Sequence, residues 1–324
     1  MLARLLLPLA LALAAPSPAP FATPAEGFRM VLLSDFNGPY GATTYPAPLA
    51  RVMGRVVNEW RPDLLVSAGD VVAGQKLSLT DAARRAMWAA FDRDVAAPLR
   101  NAGIPAAFAV GNHDGSSARR PDGSFTFRAD RDALAAYWAA RPPTLDLVER
   151  SRFPFEYTFV FRGVFFVILD ASSNRVDRAW LERQLSSPEA RGAAMRIVVG
   201  HLPLYGVSTE RDNAGDTLLG AEDLRALMER YGVLAYVSGH HAAYYPGRRG
   251  KLNVLATGGV GGRDYVGTRG TARSTVTVAD VDTRAGVVRL RTFDAATGAE
   301  VDVNTLPSRL NGVNGSVERV PELR

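Results

Sequence analysis

The chain has 324 residues, 47% of them hydrophobic and 22% charged, with a formal net charge of +5 and no cysteine. That length and apolar fraction suffice for one large domain or two modest ones with a buried core. The absence of thiols excludes disulfides, zinc–thiolate sites, thiol nucleophiles and a cysteine-linked lipid anchor, and no basic run interleaved with aromatics offers a specific nucleic-acid groove.

In chain order, Arg4 and the apolar run LLLPLALALAA at 5–15 have the layout of a secretory signal. The run is too short to span a bilayer comfortably, and Ala12-Leu13-Ala14 supplies the small-x-small pattern of a cleavage site. Residues 1–14 are therefore expected to be a signal peptide and 15–27 a flexible Pro/Ala-rich lead-in. The mature chain is then exported, periplasmic or extracellular, with no transmembrane span after cleavage; an uncleaved anchor is the rival reading. The Ala-, Arg- and Gly-rich composition is that of a GC-rich bacterial genome. Nothing in the sequence sets the oligomeric state.

Apolar runs at 28–35, 62–70 and 104–114 alternate with helical patterns at 48–60 and 79–103, the longer helix capped by Thr80 or Asp81 and ended by Gly103. A further helix is expected around 129–140, and the segment 155–170 reads as a hairpin turning at Arg162-Gly163. Strands at 195–201, 233–240 and 251–259, a helix at 220–232 and two strands within 274–294 complete the pattern. No repeat or linker interrupts it, so residues 28–300 are expected to form one domain and 301–324 a C-terminal tail. Near-continuous apolar strands alternating with helices imply an α/β fold with mixed sheets covered on both faces.

Five of these strands run into a polar residue: Asp35, Asp70, Asn112, His201 and His240. The carboxyl ends of strands in open α/β sheets are where ligands and catalysis sit. Taken singly, an aspartate after a strand is a turn or cap residue, and a lone histidine beside a sheet is a hydrogen-bonded core residue. Together they form a mixed oxygen and imidazole set suited to Mn, Fe, Zn or Co, and all four histidines of the chain fall at or beside strand ends. His113, next to Asn112, is placed to protonate a leaving oxygen, with Asp114 fixing its orientation.

The ordered set SDFN (34–37), GD (69–70), GNHD (111–114), GH (200–201) and SGHH (238–241) resembles the calcineurin-like metallophosphoesterases, which include the purple acid phosphatases. The resemblance runs from about residue 28 to 260. It implies a four-layer αββα sandwich of two mixed β-sheets flanked by helices, with a two-metal site of divalent or trivalent ions (Mn, Fe or Zn) that hydrolyses phosphate mono- or diesters by attack of a metal-activated water. By resemblance, Asp70 bridges the metals, Asn112, His201 and His240 complete one metal position, and His113 is the leaving-group acid. The other position would take Asp35, Asp70 and two histidines, but those places hold Asn37 and Ala242. Asn37 keeps a carbonyl oxygen, so this half becomes an all-oxygen site, weaker and suited to harder ions. In an extended segment His241 would face away from the site.

The leading expectation is thus an exported metal-dependent phosphoesterase acting on a phosphate-ester substrate. The alternative is a catalytically weakened one-metal binding or scaffold protein of the cell envelope on the same fold. A non-metal hydrolase finds no GxSxG elbow. Arg248, Arg249 and Lys251 read as a solvated turn, Tyr205, Tyr244 and Tyr245 as packing residues, and the Gly-rich 256–262 as a tight loop.

Overall fold

The computed structural model describes residues 27–324. The expected signal peptide and lead-in lie outside the described residues, apart from Gly27, which opens the first strand. Among the described residues no helix is long and apolar enough to cross a membrane.

Two large sheets carry the fold. One has six strands in the order Glu322–Leu323, Val287–Asp294, Thr275–Asp282, Gly27–Leu33, Leu64–Ser67, Ala106–Phe108. The other has nine, in the order Arg309–Gly312, Gly315–Arg319, Tyr244–Arg249, Leu252–Thr257, Ala235–Ser238, Met195–Val199, Val164–Ile168, Glu156–Phe161, Leu147–Arg152. Both sheets are mixed. The three strands ending at Leu33, Ser67 and Phe108 run parallel to one another, as do the four of the second sheet that end at Thr257, Ser238, Val199 and Ile168.

Strand periodicity explains the layering. Along Gly27–Leu33, Phe28, Met30 and Leu32 pack into a core shared with the second sheet, whereas Val31 and Leu33 pack against the helices Ala47–Arg55 and Asp81–Phe91. Alternate side chains of one strand thus serve opposite faces. On the far side of the second sheet, Trp180 and Leu181 from the helix Arg178–Leu185 and Leu224, Leu227 and Met228 from Ala221–Arg230 close the outer layer. This is the expected mixed α/β sandwich with helices flanking two sheets.

Two sequence expectations change. The single helix over 79–103 is broken: Thr80 caps it as expected, accepting from the Ala83 N–H, but a π turn at Asp92–Ala96 separates Asp81–Phe91 from Ala97–Asn101. Residues 301–324 are not a tail. The hairpin Arg309–Gly312/Gly315–Arg319 extends the nine-stranded sheet beside Tyr244–Arg249, and Glu322–Leu323 pairs with Val287–Asp294 in the other sheet. Each of these short strands buries a single apolar residue (Leu310, Val317 or Leu323), too few to leave an alternating pattern.

Candidate metal centre

The site forms where the carboxyl ends of the parallel strands of both sheets meet. The first sheet delivers Asp35, Asp70 and Asn112 just beyond Leu33, Ser67 and Phe108; the second delivers His201 and His240 just beyond Val199 and Ser238. Asp35, Asp70 and His240 turn with left-handed backbones, φ 50°, 58° and 62°. Such conformations are uncommon for residues with a side chain, and they cluster where surrounding structure enforces them. Glycines allow the close approach: a Cβ on Gly111 would meet the Asp70 carboxylate, and one on Gly239 would stand 2.6 Å from the Asp35 carboxylate.

Ligand-type atoms of Asp70, His201 and His240 all lie within 4.8 Å of one another, and all three residues are buried. The Asn112 Oδ1 sits 2.9 Å from His201 Nε2 and 2.9 Å from His240 Nδ1, and Asp70 Oδ2 is 3.2 Å from His201 Nε2. Outer partners decide which atoms carry hydrogens. His201 Nδ1 faces the Ala68 carbonyl at 2.7 Å, so the neutral ring holds its hydrogen there. His240 Nε2 faces the Asp216 carboxylate at 3.1 Å, which places its hydrogen on Nε2. The Asn112 amide donates to Gln75 Oε1 at 2.6 Å, turning Oδ1 inward. With both rings neutral, four acceptors therefore converge with no hydrogen among them: two imidazole lone pairs, an amide oxygen and a carboxylate. Only a cation satisfies such a set, and its mixed N/O chemistry fits a first-row transition metal.

The protonation energetics agree. Burial acts to lower the His201 pKa, but the Asp70 carboxylate overrides it and holds the ring up to about 9. Burial acts to raise Asp70, and His201 and His113 hold it well below the usual carboxylate range. His240 is lowered, by burial and by its charged neighbour His201. Without an ion, one proton on His201 takes the place of the cation.

A second tier of residues holds the ligands. Asp114, expected to orient His113, does something else. Its carboxylate is buried and accepts from the N–H groups of Asp70, Val71, Val72 and Gly111, at 2.7–2.9 Å. It clamps the two ligand-bearing loops together and is a positioning residue. His113 is oriented by Gly74 instead, whose carbonyl faces Nδ1 at 3.3 Å; its Nε2 lies 4.0 Å from Asp70 Oδ2, and its ring packs against Tyr40 at 5.1 Å between centroids. Farther out, Asp130 is held by Arg84 and accepts from the Gln75 N–H, which fixes the residue that orients Asn112.

The other half of the site is built differently. The Asp35 carboxylate accepts from the His240 N–H at 2.9 and 3.0 Å and from the Ser34 hydroxyl, and burial raises its pKa. The Gly-rich segment presses on it: a Cβ on Gly259 would stand 2.6 Å from that of Asp35. Asn37 is half-buried, and its N–H donates to the Asp70 carbonyl. Ala242 is buried with φ 47°, and its carbonyl accepts from the Arg263 N–H. The Arg263 guanidinium donates to the His240 carbonyl at 3.1 Å, close enough for the Asp35 charge to be felt. His241 is fully buried and turned away, its Nδ1 accepting from the Val207 N–H and its Nε2 donating to the Asp216 carbonyl. Burial and the adjacent His240 push its pKa down to about 3.

A profile of the calcineurin-like phosphoesterase family matches residues 28–244. The chain belongs to the calcineurin-like phosphoesterase family. Among solved structures, the chain is similar to purple acid phosphatase PPD1 from yellow lupin (Lupinus luteus), with 17% identity, a TM-score of 0.59 and 89% of this chain covered. It spans 54% of the lupin chain, about half its length. It is also similar to GAP50, the anchor in the inner membrane complex of Plasmodium, with 16% identity, a TM-score of 0.51, and 85% of this chain and 86% of that one covered. No curated protein sequence matches this calcineurin-like phosphoesterase significantly.

Asp216, Arg211, Gln75 and Arg263 belong to the site, and sequence reasoning did not single them out. Asp216 and Arg211 come from an irregular stretch whose only elements are the single turns Thr209–Arg211 and Ala214–Asp216, so no periodicity marks them. Arg248 and Arg249, read as a solvated turn, instead end the strand Tyr244–Arg249; they lie away from the site, on Asn253 and Glu222. Tyr205, Tyr244 and Tyr245 are core residues.

Proposed function

We propose that this chain is an exported metal-dependent phosphoesterase that holds one ion tightly at Asp70, Asn112, His201 and His240, with a second, weaker position beside Asp35. The observation that carries the proposal is the convergence of four hydrogen-free acceptors at strand ends. When bound, the ion (Mn, Fe or Zn) supplies Lewis-acid polarisation of a phosphoryl oxygen and lowers the pKa of a water. The chain's own residues supply the rest. Arg211 lines the cleft, bonded to Asp216 at 3.1 Å, and offers a guanidinium to a phosphate oxygen. As the imidazolium, His113 donates the Nε2 proton to the leaving oxygen and keeps its Nδ1 hydrogen on the Gly74 carbonyl. Asp114 keeps the loops carrying Asp70 and Asn112 in register. Residues 1–14 direct the chain across the cytoplasmic membrane of a bacterium and are then removed.

The test is hydrolysis of phenyl phosphate and bis(p-nitrophenyl) phosphate by protein stripped of metal and reloaded with Mn, Fe or Zn. Metal-stimulated turnover of either ester is expected; its absence with every ion overturns the proposal. A second reading, a one-ion binding or scaffold protein of the cell envelope, is favoured by Ala242 and by the engagement of Asp35 with protein donors. One tight ion per chain without turnover supports that reading. N-terminal sequencing of protein recovered outside the cytoplasm tests export.

A further inference from the structure

The metal cleft, about 330 Å³ in volume, is lined by His113, His240, Asn112 and Arg211 among others. It adjoins a much larger groove of about 1020 Å³. The two share Ala118, Ser173 and Asn174 as a common wall. The groove is preformed. One side is the hairpin that follows GNHD, closed by the Arg119–Phe125 bridge and by the bond from the Thr126 N–H to the Ala118 carbonyl. The other is the loop after the strand Val164–Ile168. Serines stitch the sides together: Ser116 donates to the Ser172 carbonyl, the Ser117 N–H donates to Ser172 Oγ at 2.9 Å, and the Ser117 and Ser173 hydroxyls meet at 2.7 Å.

Five arginines and four carboxylates line the groove. Arg131 pairs with Asp170, Arg152 with Glu156 and Asp177, and Arg128 with Asp132. Among the described residues no carboxylate pairs with Arg119 or Arg175, and both are exposed. Arg119 bonds to the Gly123 carbonyl and lies over the Phe125 ring at 4.0 Å; Arg131 lies 4.2 Å from the same ring and 3.9 Å from that of Phe155. The stack holds Arg119 at the rim with its charge uncompensated.

We infer that the groove is a second subsite for an extended phosphoester carrying a second anionic group, which Arg119 and Arg175 hold while the ester lies in the metal cleft. The inference rests on the cleft being a phosphoryl site. A small monoester fills only the cleft. A substrate with a distal phosphate or carboxylate gains charge-assisted bonds in the groove without desolvating a buried charge.

Calorimetry on the metal-loaded protein tests this without turnover, using methylphosphonate and a series of α,ω-alkanebisphosphonates with three to eight carbons between the phosphonates. At least one bisphosphonate should bind roughly tenfold or more tighter than methylphosphonate, the scale of one added hydrogen bond to a charged group. In R119Q/R175Q that ratio should fall to about threefold or less, since both donors of formal charge are gone. Equal binding of all probes by the natural protein, or an undiminished ratio in the double variant, overturns the subsite. Absence of binding by every probe overturns it together with the phosphoryl reading of the cleft. A preserved preference with no hydrolysis of any ester removes the hydrolase reading and leaves the subsite standing.

Discussion

The two halves of the strand-end site use the same device to opposite ends. The outer partners of Asn112, His201 and His240 turn lone pairs inward: Ala68 on His201, Asp216 on His240, Gln75 on Asn112. Around Asp35, the partners are donors: a single His240 N–H reaches both carboxylate oxygens and the Ser34 hydroxyl reaches one of them. The first half presents its lone pairs to one point, whereas the Asp35 carboxylate is engaged by protein donors. What separates the proposed metal position from the Asp35 carboxylate is thus the tier of residues behind the side chains, more than the side chains themselves.

The largest test of that contrast removes a ligand from the first half. His201→Ala should weaken the tight ion by roughly two to three orders of magnitude, one ligand's share of a four-ligand binding free energy of about 10–16 kcal/mol. Asp35→Ala should change the affinity of the same ion far less. Chelator competition monitored by elemental analysis reads both, and equal losses would erase the distinction between the halves. Removing an outer partner comes next. Asp216→Ala frees the His240 ring to take the other tautomer and should weaken the ion about 10- to 100-fold. A loss no larger than that of a distant surface change would mean that Asp216 does not set the ring.

Proton competition gives a smaller effect per step. His201 is held up to about 9 without an ion, so its proton is bound below that pH and must leave when the ion enters. His240, shifted down, contributes no second proton near neutrality. Affinity should therefore climb about tenfold per pH unit from pH 6.5 and flatten above about 9, the signature of one displaced proton. A flat profile over that range would show the ring already neutral and the acceptor set differently hydrogen-bonded.

Much of the first half is legible in the sequence, because GD, GNHD and the two glycine–histidine pairs are local patterns attached to apolar strands. The layering is legible for the same reason: strands such as Gly27–Leu33 carry enough consecutive apolar residues to be read. What escaped is tertiary. Asp114 looks like a partner for its neighbour His113, yet its bonds go back across the fold to residues 70–72. Asp216 reaches His240 from an irregular loop, and Arg263 reaches the His240 carbonyl from beyond the Gly-rich segment. His241 faces away as alternation suggested, although the segment is a turn and not a strand, and the Val207 N–H and the Asp216 carbonyl hold it there.

The finest test attempts to make the second half like the first. Ala242→His restores an imidazole where the family pattern has one, and histidine tolerates a left-handed backbone better than β-branched residues do. The substitution alone should raise second-ion affinity by only about tenfold, because freeing Asp35 from hydrogen bonds to a charged group costs about 1.5–3 kcal/mol. Adding Arg263→Ala removes a fixed positive charge beside the carboxylate and should raise affinity further. Ion stoichiometry moving from one toward two per chain in the double variant would show that donors and charge, not the missing ligand alone, keep the second position weak. Full occupancy in the single variant would instead place the whole difference at Ala242.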